Sequence, residues 1–158
     1  MSGAHAEKQV AATVTSFRVA KRKFAKTAFS GSGARLYGGR WNSIGTPMVY
    51  TAGSLSLSLL EWRAHLAQWP APPLMVIEVE IEEHLIWTPR KLPADWKRLP
   101  LGRGSAIFGD DWVRSQRSAV MRVPSVIVPS EWNYLLNPTH PDFQRLRIGK
   151  PHVLRPDP

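Results

Sequence analysis

Fourteen prolines distributed over 158 residues set the main constraint on this chain. Each removes a backbone donor and fixes φ, so long helices and wide uninterrupted strands are excluded wherever they fall. PAPP at 70–73 must end any helix before it, Pro89 to Pro100 can hold only loop and short turns, and Pro124 places a bend or an edge inside AVMRVPSVIVP. What remains is a set of short elements, which predicts a loop-rich, compact α+β domain. With 43% hydrophobic residues the chain can bury the core of one ordinary domain.

Periodicity assigns the elements. In SLSLSLLEWRAHLAQW, Leu55, Leu59, Trp62, Leu66 and Trp69 recur every three or four residues, which predicts a helix from Ser54 to Trp69 with one core-facing stripe. Ser54, Ser58, Glu61 and His65 repeat that spacing on the adjoining flank, so Glu61 sits beside the buried face, partly shielded from water. MVYTA after Pro47 reads as a buried strand, and LMVIEVEI alternates as a half-buried one, with Met75, Ile77, Val79 and Ile81 opposite Glu78 and Glu80. GDDWVRSQRS suggests a short helix with an acidic first turn, SEWNYLLNP one or two helical turns entered through Ser130, and QRLRIG a last strand. Gly31, Gly33, Gly38 and Gly39 argue for loop across FSGSGARLYGGRW. The first residues, through Ser16, have no clear period and read as a loose N-terminal arm, leaving 17–158 as the folded domain.

Several function classes fall away on composition. There is no cysteine, hence no disulfide framework and no thiolate chemistry. The five histidines are scattered, and none pairs with carboxylates at ligand spacing, so no metal is expected. No apolar run approaches the roughly 18 residues needed to span a bilayer, and the N-terminus lacks the apolar block of a signal peptide, so a soluble cytoplasmic protein without a membrane partner is expected. No G-x-S-x-G elbow supports a serine hydrolase. The excess of 21 Lys and Arg over 12 Asp and Glu, a formal +9, predicts anionic partners. KRKFAK at 21–26 concentrates part of that charge. A nucleic-acid or partner-binding module fits the charge but brings no recognisable reading motif.

One constellation carries chemistry. Arg40 follows two glycines, Tyr50 ends a strand and Glu61 lies one strand-to-helix connection further, with Arg18 upstream. Arginine presents a planar fork that matches a pyrophosphate, glycine lets backbone N–H groups approach the same anion, a tyrosine offers a flat stacking face, and a carboxylate can hold a ribose hydroxyl. Each also has a plain reading: Arg40 as a clamp on carbonyls, Tyr50 as core, Glu61 as a solvated charge, Asn42 as a turn former.

SGSGARLYGGRWNSIGTPMVYTAGSLSLSLLEWRAHL resembles the core of the RES domain, the toxin of bacterial RES–Xre toxin–antitoxin pairs, and the similarity continues through LPADW and VPSVIVPSEWNYLLNPTHPDF to the final basic strand. The resemblance implies an NAD-consuming enzyme with an ADP-ribosyltransferase-like fold, a mixed β core with helices around it. It also implies cleavage of the nicotinamide–ribose bond, with water, phosphate or a protein as acceptor of ADP-ribose. Arg40, Tyr50 and Glu61 match the family arginine, tyrosine and glutamate, and Arg18 an early arginine that touches phosphates. Ser125 best matches the serine, with Ser118 as the alternative. Gly39, Asn42 and Ser118 join the expected NAD contacts. The implied partner is an Xre-type antitoxin, with no direct binding to nucleic acid.

Overall fold

The computed structural model describes residues 10–64 and 73–154. Among them, one eight-stranded mixed sheet organises the chain. Its strands are β1 (Thr13–Lys21), β2 (Val49–Ala52), β3 (Leu74–Glu82), β4 (Ile86–Trp87), β5 (Val120–Pro124), β6 (Trp132–Leu136), β7 (Arg147–Ile148) and β8 (His152–Leu154). The spatial order is β4-β5-β6-β2-β1-β3-β7, with β8 also paired to β3; only β4 and β5 run parallel. The helices are α1 (Ser32–Tyr37), α2 (Leu55–Ala64) and α3 (Arg103–Ser115).

The sheet curls. Val49 of β2, Val79 and Ile81 of β3, Val120 of β5 and Leu136 of β6 meet in one buried cluster, although β3 and β5 lie four places apart in the strand order. The other face carries the helices. Trp41, Trp112, Val113, Met121, Val123 and Leu135 form a second cluster, and Leu55, Leu59 and Trp62 of α2 pack against Val19, Leu74 and Val76. The stripe expected on α2 is therefore packed as far as Trp62, although Leu57 and Ser58 are its most buried residues. The expected continuation through His65, Leu66 and Trp69 lies outside the described residues.

The strand expected at MVYTA is β2. The alternation in β3 holds for Ile77, Val79 and Ile81, while Leu74 and Val76 are buried as well, because α2 covers the first half of that face. Four expectations change. Thr13 to Ser16, expected in the arm, belong to β1 and pair with Val79 to Glu82; residues 1–9 lie outside the described part. FSGSGARLYGG contains α1: Gly31 at φ 75° and Gly38 at φ 71° bracket the helix and do not break it, and Ala34, Arg35 and Leu36 between them favour it. SEWNYLLNP is not helical. Trp132 to Leu136 pair on both sides, with β2 and β5, and a central strand buries Tyr134, Leu135 and Leu136 in a way no isolated helical turn could.

The helix suggested at GDDWVRSQRS is longer and starts earlier, at Arg103, so its first turn holds no acid. Its N-terminus takes a carboxylate from elsewhere: Asp95 Oδ2 accepts the Gly104 N–H at 2.9 Å. Asp110, in the second half of α3, accepts the Ser43 N–H at 2.8 Å and ties the helix to the Trp41 loop.

Candidate active site

Glu61 closes the second turn of α2, whose first turn is capped by Ser54: the Ser54 Oγ accepts the Leu57 N–H at 3.1 Å and donates to Glu131 Oε1 at 2.8 Å. Ser58, buried one turn before Glu61, donates to the Phe17 carbonyl at 3.3 Å. The helix is thus pinned to β1 and to the β5–β6 turn, and with it the direction of the Glu61 side chain. Ser125 Oγ donates to Glu61 Oε1 at 3.0 Å, and Asn133 Nδ2 donates to Oε2 at 2.9 Å. Ser125 is fully buried, and its Oγ also accepts the N–H groups of Ile127 and Val128, at 3.1 Å each. These bonds fix the hydroxyl in the orientation that donates to the carboxylate. Ser118 has a separate role: it accepts from Trp112 Nε1 at 2.9 Å and donates to the Val120 carbonyl at 2.8 Å, which ties α3 to the start of β5.

Asn133 is absent from the sequence-derived set, because the segment around it reads as helix. A strand reading would have turned Asn133 and Leu135 to one face of β6, and cross-strand pairing with Ala52 and Val123 then brings Asn133 under α2.

Tyr50 faces the same side. It pairs with Leu135, while Ala52 pairs with Asn133, so Tyr50 lies two residues, roughly 7 Å, along the sheet from the group that holds Glu61. Its hydroxyl donates to Asn42 Oδ1 at 2.6 Å and accepts the Trp41 N–H at 3.0 Å. A β-carbon at Gly39 would clash with that hydroxyl, 2.7 Å away. Asn42 is 1% exposed, and its Nδ2 serves the carbonyls of Ala34, Ser43 and Thr46 at 2.8, 3.2 and 3.0 Å. The Gly39 N–H donates to the Asn42 carbonyl at 2.9 Å. The polar groups of Gly39 and Asn42 that could meet an anion or a ligand are thus spent inside the turn, which favours a shaping role for both.

Burial pushes the Tyr50 phenol well above its ordinary value, against the smaller opposing effect of the bond from the Trp41 N–H. The folded state therefore retains a proton that the unfolded chain releases near pH 10, so this contribution is complete below that pH and is lost as pH rises above it. Tyr50→Phe should flatten the alkaline fall in stability and lower stability at pH 7 by about 1–3 kcal/mol, since it strands the Trp41 N–H and Asn42 Oδ1. Thermal unfolding of both proteins between pH 7 and 11 measures this; parallel curves would refute it.

The two arginines are partly engaged. Arg40 Nη1 donates to the carbonyls of Trp96 at 2.8 Å and Arg98 at 3.2 Å, so the residue does clamp carbonyls. Its Nε and Nη2 make no hydrogen bond among the described residues. Arg18 Nη1 donates to the Tyr50 carbonyl at 2.9 Å, and its buried Nε has no partner there. Desolvation lowers the pKa of both guanidinium groups, yet an arginine so placed stays cationic. Trp41, 3% exposed, anchors the loop that carries Arg40 and stacks on Trp96 with centroids 6.5 Å apart.

Among the described residues no cluster of His, Asp and Glu could hold a metal ion, and no helix is long and apolar enough to cross a membrane. The arrangement is one oriented carboxylate, a tyrosine beside it and arginines with unspent donors around a curled mixed sheet. It stands on a single α+β domain built round that sheet with helices packed on it. The sequence model of the RES domain matches residues 15–156, and the chain belongs to the RES domain family.

Among curated proteins it is 40% identical to the "Prs ADP-ribosylating toxin" of Sphingobium sp. (strain YBL2), over 87% of this chain and 91% of that protein. It is 35% identical to "Toxin Res" of Yersinia enterocolitica, over 81% and 86% of the two chains. The fold is similar to that in the crystal structure of the M. tuberculosis MbcT–MbcA toxin–antitoxin complex, with a TM-score of 0.70 at 18% identity, covering 92% of this chain and 86% of that one.

Proposed function

We propose that this chain is the toxin of a toxin–antitoxin pair and that it cleaves the nicotinamide–ribose bond of NAD. The observation that carries the reading is the Glu61 carboxylate, with one oxygen taking a hydrogen bond from Ser125 and the other from Asn133. Nicotinamide is a pyridinium in NAD and departs as a neutral base, so its departure needs no general acid. A single carboxylate suffices, in contrast to glycoside hydrolysis with its two. Glu61 binds the ribose diol and stabilises the positive charge that develops on the ribose in the transition state, in a setting where an oriented charge acts more strongly than in water. Ser125 and Asn133 hold Glu61 in place, Tyr50 packs on the nicotinamide, and the unspent donors of Arg40 and Arg18 hold the pyrophosphate.

The acceptor of ADP-ribose is water, phosphate or a protein. The name of the Sphingobium relative, an ADP-ribosylating toxin, favours the protein. NAD consumption by purified protein, followed by nicotinamide release with and without candidate acceptor proteins, tests the reading. Release without an acceptor makes the chain a degrading enzyme, and release only alongside mass added to the acceptor makes it a transferase. No release under either condition rejects NAD cleavage.

The antitoxin is assigned to the basic patch of Lys21, Arg22, Lys23 and Lys26, all exposed, where Lys23 also lies 5.0 Å from the centre of the half-exposed Phe24 ring. Charge on such a surface steers association. Reversing these four charges should weaken the antitoxin complex about tenfold or more at low salt, mainly through a slower on-rate. Binding kinetics at two salt concentrations check this, and an unchanged affinity would remove the patch from the interface.

A further inference from the structure

We propose that the cleft between the 88–96 loop and the ends of β5 and β6 is a subsite for the adenosine 5′-phosphate half of the dinucleotide, an inference that rests on the NAD reading above. The cleft has a volume of about 500 Å³, within the range of small-ligand pockets. Thr88, Arg90, Lys91, Trp96, Arg122 and Trp132 give it its character, and among the described residues no carboxylate lines it.

Arg122 is prepared for an oxyanion. Its guanidinium lies over the Trp132 ring, 4.6 Å from the centroid, and its Nε donates to Thr88 Oγ1 at 3.1 Å. Stacking and that bond fix the plane of the group, while Nη1 and Nη2 make no hydrogen bond among the described residues. A planar fork held this way meets a phosphate with two parallel bonds and loses little freedom in doing so. Trp96 and Trp132 supply flat apolar surface against which a purine can stack. An acidic peptide would use the cations but has no need of two indoles.

The position fits a dinucleotide. Pro124 and Trp132 immediately precede Ser125 and Asn133, the residues that hold Glu61, and alternation turns Trp132 and Asn133 to opposite faces of β6. Cleft and carboxylate therefore flank the same end of the β5–β6 hairpin, where Pro124 pairs with Trp132. Arg40 is tied to the cleft through its bond to the carbonyl of Trp96, one of the lining residues, with Nε and Nη2 left for the pyrophosphate between the two halves.

Calorimetric titration with AMP and with nicotinamide mononucleotide tests the subsite without turnover. AMP should bind the wild-type protein and Glu61→Gln with the same affinity. Arg122→Gln should bind AMP about ten- to a hundredfold more weakly, while its affinity for nicotinamide mononucleotide stays at the wild-type value. Arg122→Lys, which keeps the charge and loses the fork, should fall between, and it replaces Arg122→Gln if thermal unfolding shows that variant destabilised. Absence of AMP binding to the wild-type protein, AMP affinity indifferent to Arg122, or equal weakening of both mononucleotides would overturn the proposal. The cleavage reading fails separately, by absence of nicotinamide release from NAD with the wild-type protein, and that result leaves AMP binding untouched.

Discussion

Glu61→Gln should reduce nicotinamide release from NAD by about 10²–10³-fold or more while leaving the thermal midpoint within a few degrees of the wild-type value. The two outcomes separate because the amide preserves the shape of the site. Glutamine has the length of glutamate, its carbonyl oxygen can still accept the Ser125 hydroxyl or the Asn133 amide, and the fold around them is set by other bonds. Those include Ser54 at the start of α2, Ser58 on the Phe17 carbonyl, and the Ile127 and Val128 N–H groups on Ser125.

What disappears is the negative charge. It is unnecessary for α2 to pack and, on the proposed mechanism, indispensable when the ribose becomes cationic. An interaction made mainly in the transition state lowers kcat and kcat/KM together and leaves substrate affinity nearly unchanged. Steady-state rates with a thermal melt measure all three quantities, and wild-type turnover in a folded variant would remove Glu61 from the chemistry.

Gly109→Ala should destabilise the protein by about 3 kcal/mol or more, lowering the thermal midpoint by roughly 6–12 °C. Gly109 sits inside α3, where glycine alone would weaken a helix by up to about 1 kcal/mol relative to alanine. It is there because the helix backbone passes directly against the Trp41 carbonyl, and a β-carbon at 109 would collide with that backbone. The neighbouring Asp110 bond to the Ser43 N–H holds helix and loop at this separation, so neither can withdraw without breaking it. The displaced loop also carries Arg40 and Asn42, so on the proposed function NAD affinity should fall along with stability. Gly33→Ala is the matching control. Nothing approaches its missing β-carbon and it lies within α1, so that change should be neutral or slightly stabilising. Equal effects of the two substitutions would refute the close-approach argument.

Much of this architecture was legible because its signals are local. The three-four spacing of Leu55, Leu59 and Trp62 requires a helix with one apolar side, and that same spacing puts Glu61 on the flank beside it. The alternation of Ile77, Val79 and Ile81 requires a strand. The elements that were misread depend on partners far along the chain. Trp132 to Leu136 carry no alternation of apolar and polar residues, because the strand they form is covered on both faces and bonded on both edges, and a short apolar run of this kind has no period to read. Helix α3 starts six residues before the GDDWVRSQRS segment in which it was expected, because the carboxylate at its N-terminus comes from Asp95 in the preceding loop.

The candidate site divides along the same line. The sequence alone determined which residue types were available: one flank glutamate on the best helix, arginines beside glycines, a tyrosine closing a strand, and no thiol or metal-ligand set. Only the tertiary structure decided which of them meet. Ser125 and Asn133 are 64 and 72 positions from Glu61, yet each donates to one of its oxygens, while Ser118, only seven residues before Ser125, belongs to a different contact. The reason is geometric. Periodicity fixes the face on which a side chain emerges, but hydrogen-bond partners are chosen by strand order and register. In this sheet β2 and β6 become neighbours through pairings that span more than 80 residues of chain, and β5 joins them as the hairpin partner of β6.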